Sequence, residues 1–135
     1  MTFDKKLSLS LLSLRLGVFL VMFMWTIDKF INPTHASRVF SHYYKIDNLS
    51  EILSYSLGGL QLVLVLAFLF GIKRKLTYGA ILIMHLVSTL SSYKMYLDPW
   101  GPKNLLFFAA WPMLAAILSL YLLREKDNLL TFRGK

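Results

Sequence analysis

The chain has 135 residues, 56% of them hydrophobic and 16% charged, with a mean hydropathy of +0.56 and a formal net charge of +8. A soluble domain this small needs more charge to keep its surface wet, so composition points to a membrane protein built as one domain over residues 1–135. Cysteine is absent, which excludes disulfides, thiolate metal ligands and self-contained thiol exchange; any redox role needs a bound cofactor, a diffusible substrate or another protein.

Four long apolar segments follow one another. The first, about residues 7–31, stops at Asn32-Pro33, where helix does not continue readily. It is too long for a signal peptide and lacks a small-residue cleavage pattern, so it reads as a retained span. The connector that follows, NPTHASRVFSHYYKIDNLSE, mixes Val39, Phe40, Tyr43 and Tyr44 with polar residues. It suits a short helix lying on the outer interface, either a plain connector or a lid over an intramembrane pocket. Its Asn48-Leu49-Ser50 matches a glycosylation sequence, a pattern too common to identify a context.

The second segment, about 52–72, ends at Lys73-Arg74-Lys75; the third, about 76–97, ends at Asp98-Pro99-Trp100-Gly101-Pro102; the fourth, about 103–123, precedes Arg124-Glu125-Lys126-Asp127. Each is about 20 residues, enough at about 1.5 Å per residue to cross a hydrocarbon core of about 30 Å. The prediction is an all-α fold, an integral membrane four-helix bundle. With four consecutive spans, Lys5, Lys6, Lys73, Arg74, Lys75, Arg124, Lys126, Arg133 and Lys135 flank one face, and Lys29, Arg38, Lys45, Lys94 and Lys103 flank the other. The richer face is cytoplasmic, so both termini are expected there. Positive charge divided in this way suits anionic lipid headgroups and gives no sign of nucleic-acid binding.

Strong polar groups recur inside the spans. Counted from the segment ends, Arg15, His85 and Gln61 lie about 12, 13.5 and 16 Å deep from one face. They converge on one inner cavity if their helix faces turn inward. Tyr78, His85, Ser88, Thr89, Ser92 and Tyr96 follow the spacing of a single helical face. That stripe is either a ligand-lined site or a structural seam in which hydroxyls bond to preceding carbonyls. Arg15 has two readings as well: snorkelling to the headgroups, or donating to an anionic group or a ligand carbonyl. Asp28 belongs to a separate outer zone about 19 Å from Arg15, either in a structural ion pair, for which Lys94 is the best sequence-distant partner, or in an outer site or proton path, with Lys29 reaching outward. Trp111-Pro112 falls near the middle of the fourth segment, where the proline predicts a kink. No GxGxxG, GxxxxGK[ST] or HExxH motif occurs. His35 and His42 lack a completing ligand set and His85 lacks a second axial histidine, so neither metal nor haem is predicted.

RLGVFLVMFMWTIDKF resembles the first helix of the DoxX-like membrane proteins, with Arg15, Gly17, Trp25, Asp28 and Lys29 at the matching positions. LGGLQLVLVLAFLFG resembles their glycine-rich second helix through Gly58, Gly59 and Gly71. Gln61 stands in a region where relatives often carry an acidic or small residue, which speaks against a carboxylate-dependent mechanism. The resemblance implies a redox-associated protein of the bacterial inner membrane, with a quinone as the sensible ligand class. On that basis Arg15 or His85 contacts a ring carbonyl, Gln61 orients the ring, and Trp25 and Trp111 pack against it. The role implied is the quinone-interacting membrane subunit of an oxidoreductase; the alternative is a non-catalytic membrane assembly or scaffold protein. The candidate partners are membrane lipids, a membrane or periplasmic redox protein and a second copy of the chain.

Overall fold

The computed structural model describes residues 1–45 and 51–132, so Asn48-Leu49-Ser50 lies outside the described residues. Regular structure among the described residues is helical: α1 Phe3–Ile31, α2 Pro33–Tyr44, α3 Glu51–Leu69, α4 Arg74–Ser91, α5 Tyr93–Leu97 and α6 Ala110–Leu122. Short 3-10 turns cover Asn104–Ala109 and Arg124–Lys126. α1 begins at Phe3, not near Leu7, because Thr2 caps it: the Thr2 hydroxyl accepts the Lys5 N–H at 3.3 Å, and Asp4 sits in the first turn. The helix ends where the Asn32 N–H bonds to the Asp28 carbonyl at 2.7 Å, and Pro33 then opens α2.

Three stretches are long and apolar enough to cross a membrane: Phe3–Ile31, Ile52–Leu69 and Asn104–Leu122. α4 has the length, but Arg74, Lys75 and its polar stripe leave it less apolar, and the expected third span is not among the three. It also stops at Ser91, where an unbroken helix to about residue 97 was expected. The Ser91 hydroxyl donates to the Val87 carbonyl at 2.7 Å and the Ser92 hydroxyl to Ser88 at 3.1 Å, the side-chain competition that bends or ends helices. The fourth segment is a 3-10 stretch followed by α6, not one α-helix. Pro112 therefore falls in the first turn of α6, where its missing N–H is harmless, and not at a mid-helix kink. A 3-10 turn rises more per residue than an α-helix, so Asn104–Leu122 reaches about 31 Å.

α1 packs on α3 and α6, while α4 packs on α6 and α3, so these four helices enclose one interior. Gly58 permits the close approach of α3 to α1, since a Cβ there would sit 3.0 Å from the Phe30 ring. Leu11, Val18, Met22, Val65, Phe68, Ile81, Ile117 and Leu120 fill the interior. Large apolar residues remain exposed on the opposite faces of the same helices, as at Leu20, Val63 and Ile83; this is the pattern of a lipid-facing surface.

α3 ends in a Schellman turn. Gly71 has φ +67°, the Gly71 N–H bonds to Phe68 and the Ile72 N–H reaches back to Ala67 at 2.9 Å. That turn receives the end of the chain. The Phe132 N–H bonds to the Phe70 carbonyl at 2.8 Å, and the two rings meet edge to face at 5.6 Å. Arg74 Nη1 donates to the carbonyls of Arg124 and Asp127 at 2.7 and 2.9 Å. Residues 123–132 thus fold back across the end of the helices at which α1 begins.

Candidate functional site

Two polar clusters occupy this interior. In the first, Arg15 Nη1 donates to Asp127 Oδ1 at 2.5 Å, and both side chains are fully buried. Arg15 Nη2 donates to the Leu129 carbonyl, and the Tyr78 hydroxyl donates to Asp127 Oδ2 at 2.5 Å. Both carboxylate oxygens are engaged and the arginine charge is matched, the condition under which a buried pair is tolerated. The Arg15 Nε–H has no partner among the described residues. Of the two readings for Arg15, donation to an anionic group is the one observed, with Asp127 as the anion; Arg15 does not snorkel, and it lines neither cavity at His85, contrary to the expected convergence. Depth counted along each helix misplaced it because the helices do not start at one level: Arg15, twelve residues into α1, shares Asp127 with Tyr78, four residues into α4, whereas His85 lies eleven residues in. Asp127 was missed because the Arg124–Asp127 run reads as a solvated flank. One signal was available: an intramembrane arginine needs a counter-charge, and Glu125 and Asp127 were acids expected on its own face.

The second cluster centres on His85, 2% exposed. Its Nε2 lies 3.0 Å from the Ala110 carbonyl oxygen at the start of α6, while Nδ1 is buried without a partner among the described residues. The Trp25 ring stacks on the imidazole at 6.1 Å between centroids. α4 brings His85 inward with Tyr78, Thr89 and Ser92 because these positions share one face, and they are buried together.

Two cavities meet at this histidine. The first, about 680 Å³, lies between α1, α4 and the start of α6, with Gly17, Val21, Thr89 and Met113 in its wall. The second, about 690 Å³, lies beneath α2 and is lined by Asp28, Lys29, His35, Tyr43, Tyr44 and Gln61. Trp25, His85, Ser88, Ser92 and Phe107 belong to both. Each has the size and apolar character of a small-molecule site. Gln61 therefore does meet His85, across the second cavity. Trp111 lines neither; it is 45% exposed and packs on Tyr96 at 5.4 Å. The 3-10 stretch before α6 alters the helical register that would have turned it inward.

Asp28 lies in the outer zone, but its partner is His35, with Nδ1 2.5 Å from Asp28 Oδ2, and Asn32 donates to Oδ1 at 3.2 Å. Lys94 is not that partner. The break at Ser92 places Lys94 on the separate and exposed α5, whereas the turn into α2 folds His35 back over Asp28. Lys29 lines the second cavity and its carbonyl accepts from Ser54 at 3.2 Å. α2 supplies the roof of this cavity, and Tyr43 reaches Phe107 at 5.9 Å. Burial pushes the Tyr43 phenol above its ordinary pKa, so it keeps its proton and remains a hydrogen-bond donor. Among the described residues no group of three or more His, Cys, Asp or Glu is placed to hold a metal ion.

Residues 7–101 match the family described as methylamine utilisation protein MauE, and the chain belongs to that family. The match spans α1 to α5, including Arg15, Tyr78 and His85, and stops short of Ala110 and Asp127. No curated protein and no solved structure matches the chain. The DoxX-like resemblance thus resolves to a related MauE domain in a multi-pass membrane protein.

Proposed function

We propose that this chain is a redox-associated, single-domain protein of the bacterial inner membrane and that its His85 chamber holds a lipid-soluble quinone. One observation carries the reading: a buried imidazole with an unpartnered nitrogen stands between two ring-sized cavities. Its apolar surroundings make an unpaired polar atom costly, by about 1–3 kcal/mol, which a ligand contact offsets. The residues present fit a flat ring with polar edges. Trp25 and Phe107 supply aromatic surface, His85 supplies a polar contact, and Gln61 and Lys29 line the adjoining cavity. A bound quinone supplies two-electron, two-proton carrier chemistry that the side chains of a cysteine-free chain lack. Arg15 has no part in holding the ring, because its charge is committed to Asp127.

In this reading α4 crosses the membrane with α1, α3 and the Asn104–Leu122 stretch as a four-helix bundle, its polar stripe turned from lipid toward the interior. Both termini face the cytoplasm and α2 lies at the outer surface. Electrons pass to or from a partner redox protein. Cysteines introduced as Arg38→Cys and Lys75→Cys in this cysteine-free chain should label from opposite sides, Arg38→Cys from outside; the reverse pattern contradicts the orientation. The ligand is tested by mass spectrometry of gently purified protein followed by titration with decylubiquinone and with its anaerobically reduced form. Saturable binding is expected, and His85→Leu should weaken binding of the form that bonds to the imidazole. Absence of binding by the folded protein, with a client protein recovered instead, favours the scaffold alternative.

A further inference from the structure

We propose that the His85 chamber selects the reduced, hydroxyl-bearing form of its ring over the oxidised form. The inference rests on reading this chamber as the quinone site and follows from the hydrogen-bond roles left open there. A carbonyl oxygen only accepts, so the 3.0 Å contact with Ala110 assigns the proton to His85 Nε2. A neutral imidazole has one N–H. Nδ1, buried and unpartnered, therefore carries a lone pair and requires a donor.

Two neighbouring hydroxyls, those of Thr89 and Ser92, make the same demand. Thr89 Oγ1 donates to the His85 carbonyl at 2.7 Å and Ser92 Oγ donates to the Ser88 carbonyl at 3.1 Å, which spends the proton of each and leaves acceptor lone pairs. Both residues line the first cavity beside His85. Among the described residues its wall has no lysine, arginine, glutamine or tyrosine, and its remaining donors are the Ser13 and Ser88 hydroxyls and the Trp25 indole N–H; the second cavity has Lys29, Gln61, Tyr43 and Tyr44. The oxidised ring has carbonyl oxygens only, and an acceptor facing an acceptor leaves both unpaired. The reduced ring has two O–H groups and satisfies Nδ1 directly. Nδ1 is closed to water-sized contact in this conformation. The Trp25 ring stacks on the imidazole and is 45% exposed, so the incoming hydroxyl reaches Nδ1 by displacing that ring.

The test is calorimetric titration of the full chain in lipid nanodiscs with decylubiquinone, and separately with decylubiquinol kept reduced under anaerobic conditions. The reduced ring should bind about tenfold more tightly or better. In His85→Leu the preference should shrink toward parity. Equal affinities in the unaltered protein, or tighter binding of the oxidised ring, overturn the proposal while leaving the chamber a quinone site. Binding of neither ring overturns the quinone reading itself. The comparison within the unaltered protein decides the matter even if the leucine variant does not fold.

Discussion

The two buried polar clusters each leave one nitrogen without a partner among the described residues, Arg15 Nε and His85 Nδ1, but they differ in charge and in whether a cavity adjoins, and that difference separates structure from chemistry. At Asp127 each oxygen has a donor and the carboxylate faces an arginine; at His85 one nitrogen is bonded and the other is not. The first arrangement lets an intramembrane charge persist and ties the end of the chain to α1 and α4. Cavities adjoin the second. A charged residue inside an apolar span is thus a poor guide to a ligand site when its counter-charge is already in place, and a neutral residue with an open lone pair is a better one.

Substitutions that unbalance the paired cluster should have the largest effect on folding. Asp127→Ala leaves Arg15 buried without its counter-ion and should destabilise the protein by about 3–5 kcal/mol, read by reversible unfolding in micelles. The double variant Arg15→Met with Asp127→Leu should recover most of that loss, because an apolar pair removes both desolvation costs. A double variant as unstable as Asp127→Ala would show that the pair does more than balance charge. Tyr78→Phe deprives Asp127 Oδ2 of its donor and should cost about 1.5–3 kcal/mol in the same assay.

The next effect is smaller and concerns the turn on which the chain end rests. Gly71 combines φ +67° with a position where a Cβ would lie 2.8 Å from Thr131 Cγ2. Gly71→Ala should cost about 1–2 kcal/mol through backbone strain, with a further loss from displacing Thr131. Proteolysis at residues 123–132 should quicken in step. At the unpaired cluster the ordering reverses. His85→Leu removes one hydrogen bond and one unsatisfied nitrogen together, so its stability should stay within about 1 kcal/mol of the parent while binding of the reduced ring weakens.

Much of the architecture was legible in the sequence because long apolar runs bounded by Asn32-Pro33 and by Lys73–Lys75 have few other solutions. The inward stripe of α4 was legible for the same reason: Tyr78, His85, Thr89 and Ser92 repeat at helical spacing, and all four are buried. Three features escaped. The break at Ser92 depends on hydroxyls bonding to their own helix, which hydropathy does not register. The 3-10 stretch before Pro112 lengthens the fourth segment and turns Trp111 outward. The pairing of Arg15 with Asp127 joins residues 112 positions apart, through a segment whose charges look solvated when read along the chain.

Trp25 is the tryptophan in the walls of the two cavities at His85, so its fluorescence reports the chamber once Trp100→Phe and Trp111→Phe have silenced the others. Titration of this reporter in nanodiscs with decylubiquinol kept reduced, with and without His85→Leu, tests the central claim most directly. A saturable fluorescence change that His85→Leu weakens while Tyr78→Phe retains it is the predicted result. A change that rises linearly with the ligand in the lipid, and equally in all three proteins, would contradict it.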